Sequence, residues 1–117
     1  MSHRADKMNL REVLVNKVFK LNADAETLGG ARTIVDDEGP ILAFDAGGSS
    51  RNVTLPARAA ANDGVVLFIN NISTAGETLV IKNSAATTLL TLSSQGVALV
   101  FATVLDETPG TRAWRAV

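Results

Sequence analysis

From residue 40 onward the chain is a series of short apolar runs separated by clusters of Gly, Asn, Ser, Thr and Asp. Each run has the length of one β-strand, and turn signals recur about every 8–12 residues. No run alternates with a long helical pattern, which argues against βαβ units. The pattern predicts an all-β chain that folds as a compact antiparallel β-sandwich or barrel-like domain. The predicted strands are ILAFDA (41–46), RNVTLP (51–56), GVVLFIN (64–70), TLVIKNS (78–84), AATTLLTLS (85–93), VALVFATVL (97–105) and RAWRAV (112–117).

Two of these runs differ in their patterning. RNVTLP alternates, with Val53 and Leu55 on one face, and Pro56 then stops ladder pairing at the end of the strand. GVVLFIN is apolar without alternation, which is typical of a strand buried on both faces. We therefore expect residues 64–70 to fill the middle of the fold.

Residues 1–38 are charged and mixed, and the segment 8–21 fits two patterns. Helical spacing places one set of residues on a common face: Leu10, Val13, Leu14 and Lys17. Strand spacing places a different set on a common face: Val13, Val15, Phe19 and Leu21. The valine content favours the strand. Residues 22–31 are then predicted to form a loop or one short helical turn that ends at Gly29 and Gly30, and residues 32–37 a further strand.

The predicted organisation is an extended N-terminal arm at residues 1–38 and a β-domain at residues 39–117. About 20 extended residues reach at most about 70 Å, and such an arm can add a strand to the edge of a partner's sheet. The alternative is that the arm supplies ordinary strands to its own domain. The residues predicted to bind a partner are the apolar ones of the arm: Leu10, Val13, Val15, Val18, Phe19 and Leu21.

Composition narrows the classes of partner. The 117 residues are enough for one domain, and 46% are hydrophobic but only 4% aromatic, which suits thin sheets of small aliphatic side chains. The net charge of −1 creates no large field for nucleic acid or an anionic membrane. The chain has no cysteine, which excludes disulfides and cysteine-ligated metal. We expect a soluble protein without a nucleic-acid or membrane partner.

Few residues could carry chemistry. His3 is the only histidine and cannot by itself complete a Ser–His–Asp arrangement. The acidic groups at 36–38 and 106–107 could in principle hydrolyse glycosides or bind calcium, but they lie beside Gly and Pro, where solvated turns explain them. The glycine pairs at 29–30 and 47–48 lack the continuation of a phosphate loop. We expect no enzyme activity, no metal and no cofactor.

Four arginines and the only tryptophan complete the set of candidate binding residues. Arg51, Arg58, Arg112 and Arg115 fit solvated strand edges protected by charge, or contacts to an acidic partner. Trp114 fits a core plug that packs over one open end of the domain. The alternative is an anchor in an oligomer interface, formed by Trp114 together with Arg112.

Three groups of positions carry a resemblance to a known family. The first is D-x-G-G-x-x-R-x-V-x-L-P at residues 45–56, and the second combines G-x-x-x-x-I-x-N at 64–71 with L-x-I-x-N at 79–83. The third is a late glycine, a valine-rich run, a loop and a terminal Trp strand at 96–114. Over residues 40–117 the chain resembles the head-decoration (cement) proteins of tailed bacteriophages and related β-modules of head and tail fibres.

The resemblance implies a viral structural protein with a β-tulip-like domain that binds the outer surface of an assembled capsid and stabilises the shell. Its partner would be the major capsid protein, and it would be a homo-oligomer, usually a trimer at local threefold positions. It would be assembled in the host cytoplasm and located on the virion. The alternatives are a tail, baseplate or head-fibre component involved in host attachment, and a non-viral structural or adaptor domain.

Overall fold

The computed structural model describes residues 20–59, 63–103 and 113–117. Every helix or strand within these ranges is a β-strand, so the all-β prediction is confirmed. Residues 1–19, which are half of the predicted arm, lie outside the described residues, as do 60–62 and 104–112. In chain order the strands are β1 (Ala23–Thr27), β2 (Arg32–Thr33), β3 (Ile41–Asp45), β4 (Arg51–Thr54), β5 (Val66–Asn71), β6 (Leu79–Lys82), β7 (Thr88–Leu92), β8 (Val97–Thr103) and β9 (Ala113–Ala116).

The described strands form two sheets. One has five strands in the order β1-β3-β5-β8-β9, and the other has four in the order β2-β4-β6-β7. From β1 to β6 the chain changes sheet at every connection, so neighbours within a sheet are two steps apart in sequence and run parallel. The remaining pairs, β5–β8, β6–β7 and β8–β9, are antiparallel.

Both sheets are therefore mixed, and the expectation of antiparallel pairing throughout is wrong. Short connections such as residues 46–50, between β3 and β4, cross to the other sheet instead of turning back within one. A crossing and a hairpin use the same Gly, Ser and Asn residues, so turn spacing does not distinguish them. Two successive crossings restore the direction of the strand, which is why β1, β3 and β5 run parallel.

The two sheets contribute to one hydrophobic core. In β5, Leu67 and Ile69 are buried, whereas Val66, the first residue of the strand, is 40% exposed. The expectation that residues 64–70 form a strand buried on both faces is therefore wrong for the described chain, since β5 alternates. The core consists of Leu28, Ile34, Leu42, Phe44, Ala46, Val53, Leu55, Leu67, Ile69, Leu79, Ile81, Leu92, Ala98, Val100, Ala102 and Trp114.

Residues 20–38 belong to this same folded unit. β1 pairs with β3 and β2 pairs with β4, and Leu28 and Ile34 are buried in the core. The backbone N–H of Leu28 donates to Asp45 O at 2.7 Å, and that of Ile34 to Thr54 O at 2.8 Å. Among the described residues, strands before and after residue 38 thus share the same sheets, and half of the loop or helical turn predicted at 22–31 is instead the strand β1.

The physical reason lies in the partner strand. The sequence ADAET in β1 has low intrinsic preference for strand. Pairing along the whole length of β3 supplies main-chain hydrogen bonds that compensate for this low preference. An edge strand of this kind is hard to recognise from its own residues.

The corner after β3 gives a direct test of how residues 20–38 pack. At Gly47 (φ +73°) an added Cβ would lie 2.2 Å from the carbonyl oxygen of Leu28, whereas at Gly48 (φ +99°) it would meet nothing within 4 Å. Both alanine substitutions bear the cost of a left-handed backbone, about 1–2 kcal/mol. We expect Gly47→Ala to lower the free energy of unfolding by about 1–3 kcal/mol more than Gly48→Ala. Urea denaturation measures both, and equal losses would contradict the packing of Leu28 against this corner.

Candidate functional site

The residues predicted to bind partners are only partly within the described structure. Leu10, Val13, Val15, Val18 and Phe19 of the arm and Arg112 of the predicted oligomer interface lie outside it. Leu21 is described and is 40% exposed. It lies two residues before β1, so it is the one predicted arm residue whose accessibility to a partner the structure describes.

Trp114 packs inward. The residue is only 3% exposed and belongs to the core, and its Nε1–H donates to Pro56 O at 2.8 Å. The guanidinium of Arg58 lies over the ring, 5.4 Å from the ring centroid. This is the arrangement of the core plug, because almost none of the ring remains for a partner. An interface anchor at Trp114 does not fit this burial.

Arg58 is also buried, with only 6% of its side chain exposed, so the expectation of a solvated strand edge is wrong for this arginine. Its Nη2 donates to Asp63 Oδ1 at 2.6 Å and to Thr103 O at 2.8 Å. Its Nε donates to Ala113 O at 3.1 Å and its Nη1 to Ala59 O at 2.9 Å. These contacts tie the segment after β4 to the end of β8 and the start of β9, so the guanidinium serves the fold rather than an anionic ligand.

Arg58→Lys tests this role. A lysine ammonium cannot reproduce the planar fork that serves these acceptors, and buried acceptors without donors are costly. We expect a loss of about 2–3 kcal/mol in the free energy of unfolding. The matched control is Arg51→Lys, because the Nε of Arg51 makes one good bond, to Ala46 O at 2.8 Å, and we expect a loss below about 1 kcal/mol. Chemical denaturation compares the two variants, and similar losses would argue against the locking role of Arg58.

A second arginine joins the two sheets at their β1–β2 edge. Arg32 Nε donates to Glu26 Oε1 at 3.1 Å, and its Nη1 donates to Glu38 Oε2 at 3.0 Å. Its Nη2 also bonds Glu38, which makes that pair bidentate. The guanidinium lies 5.6 Å from the centroid of the Phe44 ring. Glu38 is thus held by an ion pair, while its neighbours Asp36 and Asp37 are exposed, as a solvated turn predicts.

The pKa of Glu38 lies below its ordinary value. Hydrogen bonds from Arg32 are the main cause, and the backbone N–H of Val35, 2.8 Å from Oε2, acts in the same direction, while partial burial opposes both. The pKa of Arg32 is raised by the same contacts. The group is therefore a charged structural pair, and no raised carboxyl pKa of the kind a general acid needs arises here.

This pair gives a pH dependence of defined sign. Because folding lowers the pKa of Glu38, its stabilising effect is complete above the ordinary value of 4.5 and is lost as the pH falls through the lower pKa of the folded state. We expect the free energy of unfolding of the wild type to exceed that of Glu38→Gln by about 1 kcal/mol at pH 7. That difference should shrink in acid. Urea unfolding of both proteins from neutral pH down to about pH 3 measures it, and a difference that stays constant would contradict the assignment.

A buried polar network lies where β5 ends. Asn71 is fully buried, and its Nδ2 donates to Glu77 O at 3.0 Å and Leu92 O at 3.2 Å. Its Oδ1 accepts the N–H of Ser73 at 3.1 Å, and Ser73 Oγ accepts the N–H of Ala46 at 2.8 Å. The bonds are satisfied internally, so the network holds connections rather than a ligand. The sequence contains a signal for this network, because every second residue from Leu67 faces the core and Asn71 falls on that side of β5.

The outer faces of the two sheets differ sharply in polarity. Paired residues of neighbouring strands point to the same side of a sheet, so the strand register defines rows of side chains. On the four-stranded sheet the outward rows are mostly polar: Thr33, Thr54, Lys82 and Thr88, then Asn52, Val80 and Thr91. On the five-stranded sheet the central outward row is entirely apolar: Ala23, Ile41, Phe68, Leu99 and Val117. The flanking rows are Val66, Phe101 and Arg115 on one side and Ala25, Ala43, Asn70 and Val97 on the other.

We call the three rows on the five-stranded sheet the apolar face. A sheet that meets water on one side normally alternates between apolar and polar residues, as the four-stranded sheet does. The apolar face departs from that rule in the same molecule. Sequence reasoning missed it, because the outward residues of β5 were counted as core.

The described residues give little support for a metal site, a membrane-spanning helix or a ligand pocket. They contain no group of three or more His, Cys, Asp or Glu able to hold a metal ion, and no helix long and apolar enough to cross a membrane. A shallow depression between Val35 and Trp114 includes Glu38, whose carboxylate is already bound by Arg32. Comparison with family models, curated proteins and solved structures found no match for the chain.

Proposed function

We propose that the protein is a virion structural protein of a tailed bacteriophage, which binds the outer surface of the capsid as a decoration protein. The residues of the resemblance motivate this proposal, together with a sandwich-like β-module whose interior charges serve the fold. The observation that carries it is the place where the chain enters the fold. β1 is an exposed edge strand, and residues 1–19 precede it.

The start of β1, at the outer edge of the sheet, is a suitable place for an N-terminal arm to leave the domain. A segment that joins a sheet at its outer edge can leave the domain without disturbing the core, and 19 residues span at most about 65 Å. The apolar residues of the segment can then add to the sheet of a neighbouring capsid subunit through main-chain hydrogen bonds and side-chain pockets. The arm of this proposal is residues 1–19 with Leu21, because residues 23–34 hold β1 and β2.

The mechanism is mass-action linkage. A protein that binds only the assembled, expanded shell stabilises that shell by an amount that grows with its concentration relative to the dissociation constant. Many symmetric sites, each occupied by a small homo-oligomer, act together through effective concentration. Neither step needs an active site, a metal or a cofactor.

Cosedimentation with capsids tests the proposal. The capsids would be expanded, empty shells built from the major capsid protein of the same genome, read by electron microscopy. We expect full-length protein to saturate regular outer sites and Val15→Asp to bind at least about tenfold more weakly, because a charge replaces an apolar contact. Asn16→Asp is the matched control, since it adds the same charge at the adjacent residue and should bind like wild type.

Two outcomes would count against the proposal in different ways. Absence of full-length protein from capsids, or its association with tails instead, would overturn the decoration role. Saturation of capsids by Val15→Asp at wild-type affinity would leave the decoration role intact but contradict attachment through the arm. Trp114 fluorescence reports on whether each variant keeps the folded β-domain, because the ring is buried in the core.

A further inference from the structure

We infer that the apolar face of the five-stranded sheet is a self-association surface, covered by the same face of a second copy of this chain. The inference stands on the strand register and on side-chain exposure, and it does not depend on the proposed function. It also moves the predicted oligomer interface away from Trp114, which is buried.

The first argument is the exposure of the apolar face. Val66 is 40% exposed, Val97 61% and Val117 71%. Between them lie the half-buried rings of Phe68 and Phe101, so the exposed residues are joined into one surface rather than scattered singly. Contiguous apolar surface of this kind marks an interaction site.

The second argument is the internal comparison between the two sheets. Both sheets are built from strands of the same chain, so overall composition cannot explain why only one outer face is apolar. The outward row Thr33, Thr54, Lys82 and Thr88 on the four-stranded sheet is what a solvated face looks like. The outward row containing Phe68 and Leu99 instead resembles the inner face of a sheet pair.

The third argument concerns the occupant. The apolar face carries no charge at its centre, and the charges at its margins are of opposite sign: Arg115 on β9 and Asp45 beside the row of Val97 and Asn70 on β3. Given ordinary strand and residue spacings, the midpoint between these two charges falls among Phe68, Asn70, Leu99 and Val97. A two-fold axis in the plane of the interface through that point, perpendicular to the line that joins the two charges, would place each Arg115 opposite the other copy's Asp45. With that axis the marginal charges pair across an isologous interface centred on the apolar residues.

The size of the apolar face sets the strength of association. The three rows hold twelve residues, and with strands about 4.8 Å apart and rows about 6.8 Å apart they cover a flat area of about 400 Å² per copy. A specific interface buries about 800 Å² per partner, so this contact belongs to the weaker class. We therefore expect association that depends on concentration in the micromolar range.

Sedimentation velocity of the full-length protein over a concentration series is the test. A monomer has a mass of 12.3 kDa, and we expect larger species to dominate at high concentration. Val97→Lys places a charge on the apolar face beside the proposed two-fold axis and should weaken association at least about tenfold. Thr91→Lys is the matched control, since it places the same charge at an exposed outward position of the four-stranded sheet, and it should associate like wild type.

Thermal unfolding of the same proteins distinguishes the ways in which the inference could fail. A wild type that stays monomeric at the highest concentration overturns it. If Val97→Lys then unfolds at a much lower temperature than Thr91→Lys, the apolar face is covered by another part of the same chain. If both unfold alike, the face is open to solvent. An oligomer that Val97→Lys leaves intact overturns the inference as well, because association then uses another surface.

Discussion

Strands β3 to β9 each have one side to bury, and both sheets share one core in which to bury it. The chain meets this constraint while it crosses between the sheets at each connection from β1 to β6. A crossing keeps the apolar side of the next strand facing the same interior, and a second crossing returns the chain to the first sheet in its original direction. Parallel pairing of β1, β3 and β5 follows, with main-chain bonds at Leu28 and Ile34 bringing the N-terminal strands into the same unit.

The two described arginine clusters complete this arrangement where the sheets leave gaps. Arg32 joins Glu26 of the five-stranded sheet to Glu38 at the edge where β1 ends and β2 begins. Arg58 lies near Trp114, where the end of β8 and the start of β9 meet the segment after β4. In both clusters a delocalised cation satisfies several oxygens and lies over an aromatic ring. Charges that looked available to partners are thus used within the fold.

The two surfaces that we propose for partners are the apolar face and residues 1–19 with Leu21. In the proposed role the protein makes two kinds of contact, one to the shell and one between its own copies. The proposed assignment gives the first to residues 1–19 with Leu21 and the second to the apolar face.

The amino-acid sequence by itself determined the class of the fold and most of its strands, because period and turn residues act locally. It also placed Trp114 in the core as one of two alternatives and marked residues 36–38 as a turn. Only the tertiary structure decided which segments pair. The sequence ADAET is a strand because it pairs with β3. The Arg58 side chain is buried because it bonds Thr103 and Ala113, which are 45 and 55 residues away in sequence. The apolar face was hidden for the same reason. An apolar run such as GVVLFIN indicates that its side chains avoid water. Only the packing of β5 in its sheet decides which of these side chains are buried within the chain and which are left for a partner.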